Sequence, residues 1–305
     1  MQVSSGIRTI EDIECDFPES LREALAALKD EAGRGRILSG GTDLMVQWAS
    51  GAVPIPGRAL SIFQLRELKG IEENGDALII GAAVTHAELR NSPLVQKHLP
   101  ALAAAAATVG GAQIQARGTI GGNVANASPA GDLPPALIIT DGVVVVASAA
   151  GEREIPLTEF FLDYRKIDLR PDELIVRFVL PKMPKGGREF FWKIGPRAAQ
   201  AISKVMGACR IVMERKMVKA AAIALGSVAP TVVRLWDFES WLEGQKLDED
   251  IAFEAEQHVA AAVSPIDDIR STAEYRKWVS GRIVRGFLEQ ALQKSLSRTQ
   301  VIPLS

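Results

Sequence analysis

Apolar and polar positions follow two different periods along this chain, and the change of period divides it. Leu21, Leu25 and Leu28 recur at helical spacing and predict a helix over residues 20–30. Residues 36–38, 59–62 and 77–81 are short apolar runs bounded by turn residues and read as strands. A short helix is expected over 43–49 and a turn over 65–68. Thr85 and Glu88 stand at capping-box spacing and open another helix, with His86 in its first turn. One alanine-rich helix is expected over 94–109, ended by Gly110 and Gly111. A short helix closes over 136–139, and residues 143–148 and 153–155 predict a hairpin.

At Glu173 the pattern shifts. Residues 173–180, 189–194, 203–212 and 220–226 are apolar strands separated by turns, and the last three predict a three-stranded antiparallel meander. After Pro230 the period becomes helical, over 235–242, 249–263 and 271–296. Ser271 and Glu274 form a second capping box, and Trp278, Ile283, Phe287, Leu288 and Leu292 are expected to pack on the meander. The order of elements predicts an α+β protein: an α/β unit over residues 1–172, a sheet-plus-helix unit over 173–296, and a tail over 297–305.

Composition narrows the function classes. The 305 residues carry a net charge of −2, which calls for neither nucleic acid nor an acidic partner. The longest apolar runs, 101–109 and 143–150, fall far short of the ~20 residues that span a bilayer. No basic region precedes an apolar core at the start, so no export signal and a cytoplasmic location are expected. Cys15 and Cys209 lie far apart and read as packing residues. They are too few for an iron–sulfur site, which usually takes about four thiolates, and no metal ligands are expected.

Two loops carry the candidate chemistry. Residues 36–45 run as a strand into Ser39-Gly40-Gly41-Thr42-Asp43. Residues 118–132 place paired glycines, hydroxyls, Asn123, Asn126 and Asp132 in one stretch, expected to be neither regular helix nor core strand. Backbone N–H groups in such turns form anion pockets; a tight turn with a helix cap is the plainer reading of either loop alone. Two such loops point to a ligand bearing phosphates. The Walker and G-x-G-x-x-G patterns are absent, so a dinucleotide would sit on a different scaffold.

The paired loops resemble the FAD-binding loops of the flavoprotein medium subunits of molybdenum hydroxylases, the family of xanthine dehydrogenase and carbon monoxide dehydrogenase. Residues 169–175, 190–205 and 264–276 resemble three further motifs of that family, so the resemblance spans nearly the whole chain. It implies a two-lobed FAD-binding domain like that of vanillyl-alcohol oxidase, with lobes over about 1–57 and 58–172. It implies that Leu38, Ser39, Gly40, Gly41, Thr42 and Asp43 hold the diphosphate, and that Thr119, Ile120, Gly121, Gly122 and Asn123 hold the other side of the cofactor. Ser128 and Asp132 match positions contacting phosphate, ribityl or adenosine; a helix cap is the other reading of Asp132. Val109 matches a residue lining the flavin or is an ordinary core valine, and Ile175 matches a backbone contact. Lys193, in an apolar strand, must snorkel or meet an anion. Its family counterpart sits at the flavin's pyrimidine edge, and Ile202 matches an apolar residue over the ring.

The implied function is electron transfer by non-covalent FAD, with no catalytic residue for an organic substrate. Electrons would come from the 2Fe–2S clusters of a small partner subunit, a large subunit would carry the molybdenum cofactor, and an external acceptor would take the electrons. The implied assembly is a dimer of heterotrimers. Gln200 and Ala201 replace the acidic residues common in NAD-using relatives and resemble the carbon monoxide dehydrogenase type. The alternative is a stand-alone vanillyl-alcohol oxidase-like flavin oxidase, which would need an acid or base beside the flavin.

Overall fold

The structure is a computed structural model that describes residues 9–30, 36–197 and 200–293. Three short strands, β1 (Glu14–Asp16), β2 (Arg36–Leu38) and β3 (Arg58–Ser61), form a parallel sheet in the order β1-β3-β2. Parallel pairs need crossovers. Helix α1 (Leu21–Asp30) carries the chain from β1 to β2 with Ala24, Leu25 and Leu28 inward, and α2 (Leu44–Ala49) carries it from β2 to β3. Because β3 bonds to both neighbours, the lobe boundary expected between residues 57 and 58 falls later.

The chain then forms β4 (Ile71–Asn74), unread in the sequence because Glu72, Glu73 and Asn74 face solvent, and β5 (Ala77–Gly81). Six short helices follow: α3 (His86–Asn91), α4 (Pro93–His98), α5 (Pro100–Thr108), α6 (Ala112–Arg117), α7 (Ile120–Asn126) and α8 (Leu133–Ile138). The single helix expected over 94–109 is two, because Pro100 has no N–H to give and crowds the preceding turn. The glycines of residues 120–126 argue against a helix, yet α7 forms there. A Cβ on Gly121 would lie 2.8 Å from the Ala82 carbonyl oxygen, so this glycine lets the helix pass close to Ala82 rather than breaking it.

Strands β6 (Val143–Ser148) and β7 (Gly151–Pro156) form the expected hairpin. After α9 (Leu157–Phe160), a small hairpin, β8 (Phe161–Asp163) and β9 (Lys166–Ile167), leads to β10 (Leu174–Pro181). β10 returns between β5 and β6 to complete an antiparallel sheet, β4-β5-β10-β6-β7. The unit boundary expected between residues 172 and 173 is therefore displaced. The apolar run at 173–180 marks a largely buried middle strand of the first unit.

The meander appears as β11 (Gly187–Ile194), β12 (Val205–Glu214) and β13 (Met217–Gly226), widened by a two-residue fourth strand, β14 (Val233–Arg234). Its side chains alternate. Phe190, Cys209, Ile223 and Leu225 face α10 (Trp236–Leu242), α11 (Glu249–Ala262) and α12 (Ala273–Leu292). Phe191, Met206, Ala208, Ala222 and Ala224 face α5 and α8, so the sheet is a layer shared by both units. α12 is capped by Thr272, whose hydroxyl accepts the Tyr275 N–H (3.2 Å), rather than by Ser271. Ile283, Phe287 and Leu288 are buried as expected, while Trp278 is exposed: nine residues from Phe287 place it on the opposite side of a 3.6-residue helix. Residues 294–296 and the expected tail over 297–305 lie outside the described residues.

Candidate functional site

β2 runs directly into the first glycine pair. Gly41 takes the left-handed conformation (φ +75°), and the N–H groups of Ser39, Gly40, Gly41, Thr42 and Asp43 donate to no acceptor among the described residues. Five successive unused donors in a half-buried bend are what an anion requires. Asp43 does not cap α2; its carboxylate bonds Gln47 instead.

The second loop is built differently. The N–H groups of Ile120 and Gly121 bond the carbonyls of Val84 and Ala82 (both 2.9 Å), and those of Gly122 and Asn123 bond Thr119. This side is an anchored wall that offers hydroxyl and amide groups. The two meet at Ser39 Oγ and Thr119 Oγ1, 3.1 Å apart, and Gly40 lies flush against the Arg117 carbonyl. α2 and α7 are joined again where Gln47 Nε2 donates to Asn126 Oδ1 (3.4 Å). Arg165, at the tip of the β8–β9 hairpin, donates to the same Asn126 oxygen (3.4 Å).

Further along, the buried Asn123 Oδ1 has no partner among the described residues and points toward Gly131. Ser128 Oγ accepts the Ala130 N–H (3.3 Å) and shapes the turn. Asp132 stands at the cap position of α8 but makes no cap bond. Its Oδ2 lies 2.5 Å from Lys193 Nζ, with both side chains buried. Lys193 also donates to the Thr108 carbonyl at the end of α5 (3.1 Å), so it meets an anion rather than solvent. Burial holds the Asp132 carboxyl up at about 6, against the pull of Lys193 and Thr108. Val109, half-buried, follows Thr108. Ile202 is 55% exposed near the bend, in which Gln200 lies against Gly111. The Ile175 side chain is core; beside it the β10–β6 register slips, leaving an irregular backbone at this point. His86 is buried, and burial holds its imidazole down at about 4, keeping it neutral beneath Gly118.

Glu189 and Ser227, which support the site, carry no sequence signal of their own. Glu189 and Lys193 lie four apart on one face of β11, so they reach opposite ends of α5. Glu189 Oε2 accepts the Ala101 N–H (3.1 Å) at the start of the helix, and Lys193 takes the last carbonyl. Both suit the helix dipole. The loop over 128–132 is held by the C-terminal unit: Ser227 N–H bonds the Pro129 carbonyl (2.8 Å), and Arg276 of α12 bonds the Ser227 carbonyl (2.8 Å) and Asp268 (2.6 Å). Burial pushes the Asp268 carboxyl up, but the Arg270 N–H, the Arg276 guanidinium and the Ser271 N–H outweigh it and hold it at about 2. Arg276→Lys should cost about 1.5–3 kcal/mol by urea unfolding at neutral pH, because an ammonium cannot span both partners. Asp268 stabilises the fold above its unfolded value, so this deficit should shrink as pH falls from about 4 toward 2. An unchanged midpoint would remove Arg276 from the support of this loop.

The chain matches known families over both units. Residues 11–183 match the family described as FAD binding domain in molybdopterin dehydrogenase, and residues 190–291 match the CO dehydrogenase flavoprotein C-terminal domain. The chain is 30% identical over 276 residues to the carbon monoxide dehydrogenase medium chain of Hydrogenophaga pseudoflava, covering 90% of this chain and 95% of that one. It is 31% identical over 285 residues to the 6-hydroxypseudooxynicotine dehydrogenase complex subunit alpha of Paenarthrobacter nicotinovorans, covering 92% and 94%. Among solved structures, carbon monoxide dehydrogenase from Hydrogenophaga pseudoflava lacking the Mo-pyranopterin moiety superposes with a TM-score of 0.86 at 29% identity, covering 90% of this chain and 95% of that one.

Proposed function

This chain belongs to the family of FAD-binding medium subunits of the molybdopterin dehydrogenases, and from that premise we propose that it is the electron-transfer flavoprotein of a multi-subunit molybdenum hydroxylase. It would receive electrons from the 2Fe–2S clusters of a small partner subunit and pass them to an external acceptor. A large partner would hold the molybdenum cofactor and act on the organic substrate. The observation that carries this reading is the junction of the two glycine loops: five unused N–H donors facing an anchored hydroxyl wall.

The residues fit the cofactor. Bound FAD supplies reversible one- and two-electron chemistry. Ser39 to Asp43 would bind its diphosphate through their free N–H groups, and Thr119 and Asn123 would close the opposite side. Asn123 Oδ1 would gain the partner it lacks among the described residues. Val109 and Ile202 would line the ring, and Lys193 would place a cation near it. The bulge at Ile175 would offer backbone to the cofactor. No helix of the described residues is long and apolar enough to cross a membrane.

Purification of the tagged chain from its native host tests this reading. FAD, iron, acid-labile sulfide and molybdenum should co-elute with two further subunits; a colourless chain unable to take up FAD sinks it. The isolated flavin-free chain should also gain about 1.4 kcal/mol when FAD is supplied at about ten times its Kd, read as a raised Tm. A Tm indifferent to FAD would count against the site.

A further inference from the structure

Asp132 and Lys193 form a buried acid–base pair between the end of α5 and the loop that follows α7, and their surroundings are unbalanced. Asp132 Oδ2 takes Lys193 Nζ at 2.5 Å, while Oδ1 is buried with no partner among the described residues. The Thr108 hydroxyl has one proton but two acceptors in reach, Ala105 O at 2.8 Å and Asp132 Oδ2 at 3.2 Å. If that proton goes to Ala105, a proton on Asp132 completes the set. Among the described residues, the elements packed around α8 and its cap add little charge: α5 presents Thr108, α7 the amide of Asn123, β13 alanines, and α9 only the exposed Glu159. Arg210 of β12 is committed to Glu189, and Arg234 of β14 to Glu239 and Asp141.

We propose that Asp132 takes up a proton when the flavin held by this chain is reduced, freeing Lys193 to balance the ring's new charge. The inference rests on the FAD reading above. Two electrons and one proton leave the ring with one additional negative charge. Introducing that charge beside a neutral ion pair in a buried site is costly. One further proton from solvent converts the Asp132 carboxylate to the acid, while Lys193 keeps its proton throughout. The pair then carries +1 against the ring's added −1, and the total is two electrons and two protons. Burial already holds the Asp132 carboxyl at about 6, so a nearby negative charge raises it through neutral pH.

The test is spectroelectrochemical titration of the FAD-loaded protein with dithionite between pH 5 and 9. The wild type should take up one proton per electron to a pH about one unit higher than Asp132→Asn does; above that the variant should take up one proton per two electrons. Coincident pH slopes would overturn the proposal. Infrared difference spectra of the wild type provide a second measurement that needs no variant. A deuterium-sensitive protonated carboxyl band should appear on reduction, and its absence would equally defeat the idea. Failure of the FAD reading would look different: no flavin to titrate, or flavin content indifferent to changes at Gly40.

Discussion

Gly40→Ala is expected to strip the protein of FAD while leaving it folded. The new Cβ would fall 2.0 Å from the Arg117 carbonyl oxygen, 2.7 Å from its carbon and 3.0 Å from Gly118 Cα. All three are backbone atoms, so no side-chain rotation relieves the clash. The loops must part, which breaks the Ser39–Thr119 contact and moves the free N–H row away from its wall. FAD affinity should fall by more than about 100-fold, or roughly 2.7 kcal/mol, measured by flavin fluorescence on the flavin-free protein. Gly75→Ala is the control: it strains a left-handed turn (φ +55°), but its Cβ meets nothing within 4 Å, and it should keep its flavin. Wild-type affinity in Gly40→Ala would mean that the junction of the two loops does not hold the cofactor.

Arg210→Met should destabilise the fold by about 3–5 kcal/mol, or roughly 10 °C in Tm. Arg210 bonds Glu189 through Nε (2.7 Å) and reaches the Pro181 carbonyl (3.1 Å). Its removal leaves a carboxylate buried against α5 with no counter-charge. Burial already raises the Glu189 carboxyl, against the pull of Arg210, so in the variant it should rise further. For a carboxyl raised on folding, stability is lost as pH increases, and the deficit should therefore shrink on acidification. Arg210→Met with Glu189→Gln should recover part of the loss, since the amide oxygen still accepts the Ala101 N–H. A single-variant loss below about 1 kcal/mol would show the pair to be dispensable.

The elements with strong local signals were legible in the sequence. The stripe of α1, the Thr85 capping box and the alternating strands β11 to β13 each follow from residues that act within a few positions of one another. What was hidden depends on distant partners. Nothing local shows that residues 174–181 pair with β5 and β6, because a buried strand looks apolar wherever it is inserted. The helix α7 was concealed because a glycine needed for close packing looks like one that breaks a helix. In the site, residue types and loops were readable, but the use of N–H groups was not: the same Gly-Gly pair leaves its donors free at 40–41 and commits them at 121–122. Lys193 announced itself as a cation in an apolar strand and Asp132 as a loop carboxylate, but nothing local shows that the two pair.

The layer that β11 to β13 share between the units has a consequence for grafting. The matched families meet near residue 187, and that seam invites chimeras with related chains. Yet the acid and the ammonium on β11 are cut to the length of α5, and the arginine of β14 holds the last carbonyl of α8. A transplanted second half must therefore bring a strand whose charges match the recipient's helices in spacing and sign. Without that match the graft would join two well-made pieces across a misfitted seam.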